Sequence, residues 1–183
     1  MNTARHLHSG ALNPAFERIN EPKNAPARPQ KSPPVFAPGK IRLLRESLAQ
    51  IEPQAGIAGL AFYRNLFALD PSLRPLFQTS IELQARKLME SLSYTIAALE
   101  EPDKLIPVLE AMGRRHVGYG ARDEHYDIVL KALLWTIAQM LGRGFSDELK
   151  VTWTEALSFV AKVMKEGAAR ANSPVTETPK TLS

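Results

Sequence analysis

The sequence predicts an all-α protein, with one helical domain over residues 41–168 between disordered tails at 1–40 and 169–183. Three observations carry this. Between the tails, apolar residues recur three and four positions apart, the repeat of one helix face, and no stretch alternates with period two for long enough to suggest a strand. Seven of the fourteen prolines fall in residues 1–40, where the few apolar residues show no period. Charge divides the same way. Residues 1–40 hold six basic and two acidic side chains, the whole of the net +4, whereas 41–168 hold 15 basic and 16 acidic ones. The sequence pI near 9.4 therefore describes a tail.

The elements follow in order. Ile41, Leu44 and Leu48 make a first short stripe, which Pro53 breaks. Ile57, Leu60, Tyr63, Leu66 and Phe67 have the spacing of one buried helix face, ended by Asp70-Pro71. Pro71 suits the first turn of a short helix running to about Phe77. A long segment from Ile81 carries Leu88, Leu92, Ile96 and Leu99, and the next helix carries Leu105, Leu109 and Met112, weakened by Gly113. Tyr126, Val129, Leu130, Leu133, Leu134, Ile137 and Leu141 form a broad stripe that Gly142 and Gly144 end. Ser146 is the expected N-cap of the last helix, whose stripe is Leu149, Trp153, Leu157, Val160 and Met164. The count is about seven helices.

Composition excludes several classes of function. Without cysteine there is no disulfide framework, Cys-ligated zinc, iron–sulfur cluster or covalently attached c-type haem. A slightly acidic domain is a poor nucleic-acid surface, and the apolar runs are far shorter than the ~20 residues of a membrane span. The N-terminus lacks the apolar segment of a signal peptide, so a cytoplasmic location is expected. The basic residues of 1–40 form either an arm for an anionic partner or a plain extension.

Three polar residues sit on apolar stripes, and burying them needs a reason. His116 follows Leu105, Leu109 and Met112 at i, i+4, i+7 and i+11. His125 is the only other histidine in 41–168 and is expected at an exposed helix start. A single core-facing imidazole cannot build a multi-histidine zinc or di-iron site. It is either a satisfied core residue or the one protein ligand of a haem iron, whose other four nitrogens the porphyrin supplies. Tyr63 lies between Leu60 and Phe67, and Gln84 between Ile81 and Leu88. Either they bond each other or the backbone, or they aim a hydroxyl and an amide at a ligand that gains negative charge on binding.

The stretches FYRNLF (62–67), LFQ (76–78), QARKLM (84–89), GRRHVGYG (113–120), HYDIV (125–129) and GFSDE (144–148) resemble, in order and spacing, single-domain bacterial globins related to the globin domain of flavohaemoglobins. The resemblance covers about residues 41–168. It implies a globin fold, the three-over-three helical sandwich, around a non-covalent haem b (iron protoporphyrin IX). By resemblance His116 is the proximal iron ligand, Tyr63 and Gln84 the distal pair, Leu88 the apolar distal residue beyond Gln84, and Phe77 the ring that stacks on the haem. Lys87 would pair with a propionate, Tyr126 would support the proximal histidine, and Gly59 would face Ala85 where two helices cross. Flavohaemoglobins complete the proximal network with a glutamate late in the last helix, where this chain has Ala168 and places Glu166 two positions earlier. Two positions is the wrong step for one helix face.

The implied function is reversible binding of O2, NO and CO by a haem globin, serving O2 scavenging or transport, or NO detoxification by dioxygenation. A glycine-rich flavin- or NAD-binding motif is missing, so the electron donor would be a separate NAD(P)H-dependent reductase. The alternative is a haem-based gas or redox sensor that signals through a partner protein. A third reading is a haem-free globin fold used for protein interaction. No nucleic-acid or membrane partner is expected, and the protein is expected to be a monomer or weak dimer.

Overall fold

The computed structural model describes residues 32–172; most of both expected tails lies outside the described residues. Six α-helices are described: α1 (Pro38–Ile51), α2 (Ala55–Leu69), α3 (Ile81–Ala97), α4 (Pro102–Gly118), α5 (Asp123–Leu141) and α6 (Asp147–Asn172). The short Pro71–Leu76 segment is a 3-10 helix. No strand occurs among the described residues. α1 begins three residues before the expected domain boundary, because Pro38 fits the first turn, where a missing N–H costs nothing. α6 runs four residues past 168.

The helix ends follow local chemistry. The Ser80 hydroxyl accepts from the Leu83 N–H at 3.3 Å and starts α3. Ser146 accepts from the Leu149 N–H at 3.2 Å and starts α6, as expected. Asp70 ends α2 and accepts from the Ser72 N–H at 2.9 Å. Those Ser72 bonds, hydroxyl first and then backbone, hold its carboxyl below the usual range. Gly142, at φ +52°, closes α5 in a conformation that disfavours other residues.

One core joins the helices, with Leu44, Leu66, Leu99, Leu105 and Leu109 fully buried, each worth about 1.5–3 kcal/mol of apolar burial. Trp153 is also fully buried. Its indole N–H donates to the Ser47 hydroxyl at 3.0 Å, and Ser47 donates to the Leu44 carbonyl at 3.0 Å. A buried serine on α1 thus satisfies a buried tryptophan on α6.

Two expectations are corrected. Ile57 and Leu60 are exposed, at 61 % and 42 %. The inward face of α2 is Ala58, Gly59, Phe62, Tyr63 and Leu66. α2 crosses α3 so closely that a Cβ on Gly59 would lie 2.6 Å from the Ala85 Cβ. A residue without a side chain must therefore stand where α3 crosses, and Ile57 and Leu60 turn outward. His125 is buried, not exposed. It does lie in the first turn of α5, where its Nδ1 accepts from the Arg122 backbone N–H at 3.1 Å, so the ring folds back to cap the helix.

α4 packs on α6 more closely still. A Cβ on Gly113 would overlap the Met164 carbonyl, and one on Gly167 would overlap the Glu110 carbonyl. The pairs 110–167 and 113–164 run in opposite directions, so the helices are antiparallel with their backbones in contact. Arg170 reinforces this crossing through an ion pair to Glu110 at 2.6 Å.

Candidate functional site

His116 lies in the last turn of α4, one turn beyond the Gly113 contact. Its Nδ1 is 2.7 Å from the Met112 carbonyl. A carbonyl only accepts, so Nδ1 carries the proton and, in the neutral ring, Nε2 keeps a free lone pair. The Tyr119 ring stands 5.9 Å from the imidazole at 60°. Among the described residues no three His, Asp or Glu side chains converge to hold a metal ion. A metal at His116 would need its remaining ligands from elsewhere.

Tyr63 lies on the inward face of α2. Its ring packs edge-on against Phe62 at 4.9 Å and Phe77 at 5.2 Å, with Phe67 at 5.9 Å. The residue is 5 % exposed, and no hydrogen bond forms to its hydroxyl among the described residues. Burial pushes the phenol up to about 12 from its usual 10. Near neutral pH it is therefore a protonated donor with an unused hydrogen.

Gln84 does not bond Tyr63. Its side-chain amide donates to the Thr79 hydroxyl at 2.6 Å. Thr79 was not foreseen, since a five-residue step across a loop into a helix leaves no periodic trace. Leu88 is half-buried one turn along α3, and Phe77 is half-buried in the segment leading into it. Lys87 is exposed, with no ion pair among the described residues. Tyr126 does not reach His116. Its hydroxyl is buried without a partner, and burial, then the nearby Asp123 charge, raises its pKa. Ala168 is buried and Glu166 exposed, so the structure supplies no late-helix carboxylate in the place of Ala168. Arg114 and Arg115 are exposed.

Phe67, Leu76, Phe77, Leu88, Met112 and Val129 pack on the core yet stay partly uncovered. An open groove of about 580 Å³ between α2 and α3 is lined by Gly56, Leu60, Ala85 and Met89, and not by Tyr63, Gln84 or His116. No described helix is long and apolar enough to cross a membrane.

The Globin family model matches residues 60–164. A flavohemoprotein of Chromobacterium violaceum is 34% identical over 130 residues, 68% of this chain and 32% of that protein. One from Xylella fastidiosa is 30% identical over 138 residues, 73% of this chain and 34% of that protein. The chain thus spans about a third of the length of these curated relatives. An engineered carbene transferase from Rhodothermus marinus matches with a TM-score of 0.67 at 25% identity, covering 74% of this chain and 94% of that one. A hexacoordinated heme protein from an anhydrobiotic tardigrade matches with a TM-score of 0.68 at 17% identity, covering 74% and 96%, and so shares the fold. The match over residues 60–164 takes in α2 from Leu60 through most of α6, including Tyr63, Phe77, Gln84, Leu88, His116 and Tyr126, and the chain belongs to the globin family.

Proposed function

We propose that the protein is a b-type haem globin that binds O2, NO and CO reversibly and serves O2 scavenging or NO detoxification in the cytoplasm. The observation that carries this is the His116 tautomer. The Nδ1 hydrogen is held by the Met112 carbonyl at 2.7 Å, so Nε2 offers its lone pair to a single metal. Haem fits that donor set, because the porphyrin brings four nitrogens and asks the protein for one. The lack of cysteine makes attachment non-covalent. When bound, haem supplies an iron that takes a diatomic gas and exchanges one electron.

The chain's own residues do the rest. His116 ligates from α4. Tyr63 donates its unused hydroxyl hydrogen toward a polar diatomic ligand, and Gln84 offers a second donor from α3. Phe77 and Leu88 cover the site with apolar surface and limit water. Lys87 supplies a cation for a propionate. With Ala168 in place of a carboxylate, the imidazole is less electron-donating than in flavohaemoglobins. The reaction class is dioxygenation: NO, O2 and one electron give nitrate. The electron would come from an NAD(P)H-dependent reductase.

Absorbance spectra of the purified chain after haem supplementation test the reading. Ferric, ferrous and CO forms should each give an intense haem band. His116→Gly should lose the native ferrous spectrum and regain it with added imidazole. No haem band after supplementation would refute the function, and an unchanged His116→Gly spectrum would move the ligand elsewhere.

A further inference from the structure

We infer that Thr79 is a positioning residue that withholds the Gln84 amide from the distal side and so sets how fast bound gas leaves. The inference rests on the haem reading above, but its observation is independent of it. The Gln84 amide nitrogen lies 2.6 Å from the Thr79 hydroxyl oxygen. Tyr63, the other donor, is buried with its hydroxyl unengaged among the described residues. The two donors are therefore not equivalent. Tyr63 is fixed by ring packing against Phe62 and Phe77. Gln84 is tied by one bond to a short connection between the 3-10 helix and α3.

That connection is itself braced. Ser80 caps α3 through the Leu83 N–H, and the Gln84 backbone N–H donates to the Ser80 carbonyl at 3.1 Å. Thr79 is thus held one residue before the N-cap Ser80, within reach of the Gln84 side chain. To turn toward a ligand, Gln84 must give up the threonine. Thr79 is exposed, so water competes for its hydroxyl and the hold is modest. The latch should change populations by roughly two- to tenfold, the range of one net hydrogen bond.

The test is a double-mutant cycle on the haem-loaded protein. Thr79→Val keeps the shape and removes the hydroxyl. O2 dissociation should slow two- to tenfold, and the C–O stretch of the CO complex should shift toward its more strongly hydrogen-bonded band. Thr79→Ser should restore wild-type behaviour. Neither change should occur in a Gln84→Leu background. In the haem-free protein, Thr79→Val should shift the Gln84 side-chain amide resonances. An unchanged or faster O2 dissociation rate in Thr79→Val, or an effect that persists without Gln84, would overturn the latch. Failure of the haem reading looks different: no haem band in any variant, with the amide resonances still reporting whether the Thr79 bond exists.

Discussion

The crossing of α4 with α6 and the crossing of α2 with α3 are both made by glycine, yet they differ in what the glycine touches. Gly113 and Gly167 face main-chain carbonyls, so nothing at that crossing can rotate aside. Gly59 first meets the methyl of Ala85, and only then its backbone. The polar groups differ in the same sense. On α4 the His116 Nδ1 hydrogen is spent on a carbonyl of its own helix. Between α2 and α3 one donor is unengaged and another is held by a loop threonine. The first crossing is built to fix a position, and the second leaves room for adjustment. Gly113→Ala should show the strongest effect. It should cost more than about 3 kcal/mol in urea unfolding, and no side-chain change opposite should recover it. A loss under about 1 kcal/mol would mean that the two backbones part easily.

Gly59→Ala should cost less, about 1–3 kcal/mol. Adding Ala85→Gly removes the nearest atom, at 2.6 Å, and leaves the backbone contacts at 2.9 Å. The double variant should therefore recover part of the loss, which a thermal melt reads directly. Recovery equal to zero would make the two crossings alike and end the contrast.

These contacts also explain what could be read from the sequence. The stripes of α1, α5 and α6 were legible because burial repeats with the helix, and the caps at Ser146 and Gly142 because their chemistry is local. The inward face of α2 was misread for a physical reason. Hydropathy put Ile57 and Leu60 inside, but the close approach of α3 at Ala85 selects by size and places Gly59 on the inward face. Gly113 read as a weak point of its helix, and it is instead the point of closest packing. His116, Tyr63 and Gln84 stood out as polar residues on apolar faces. Thr79 did not, since a loop residue bonded five positions ahead belongs to no period. His125 was misplaced because a ring that caps its own helix leaves no trace in spacing either.

The next contrast is in ligand release, where the fixed donor between α2 and α3 should matter more than the latched one. Tyr63→Phe keeps the ring contacts with Phe62, Phe67 and Phe77 and deletes only the hydroxyl. Stopped-flow O2 dissociation should speed up tenfold or more, since about 1.4 kcal/mol is a factor of ten. Gln84→Leu should have a smaller effect, because Thr79 already holds part of its amide back. An unchanged rate in Tyr63→Phe would remove the phenol from its role, and a larger effect at Gln84 would reverse the order of the two donors.

The smallest effect is on stability in alkali, and it isolates the buried phenol without any ligand. The folded pKa of Tyr63 is raised to about 12, against about 10 in the unfolded chain. Below about pH 10 the phenol is neutral in both states, and its contribution is fully present. As pH rises from there toward 12, the unfolded chain loses this proton first, so unfolding gains and stability falls. By about pH 11 the loss should be about 1 kcal/mol, from the rule that one pKa unit is 1.4 kcal/mol. Tyr126, raised mainly by burial, adds to the fall in the same direction. Urea unfolding from about pH 9 to 11 should therefore show wild type weakening faster than Tyr63→Phe. Parallel curves would mean that burial does not hold the Tyr63 phenol above its usual range.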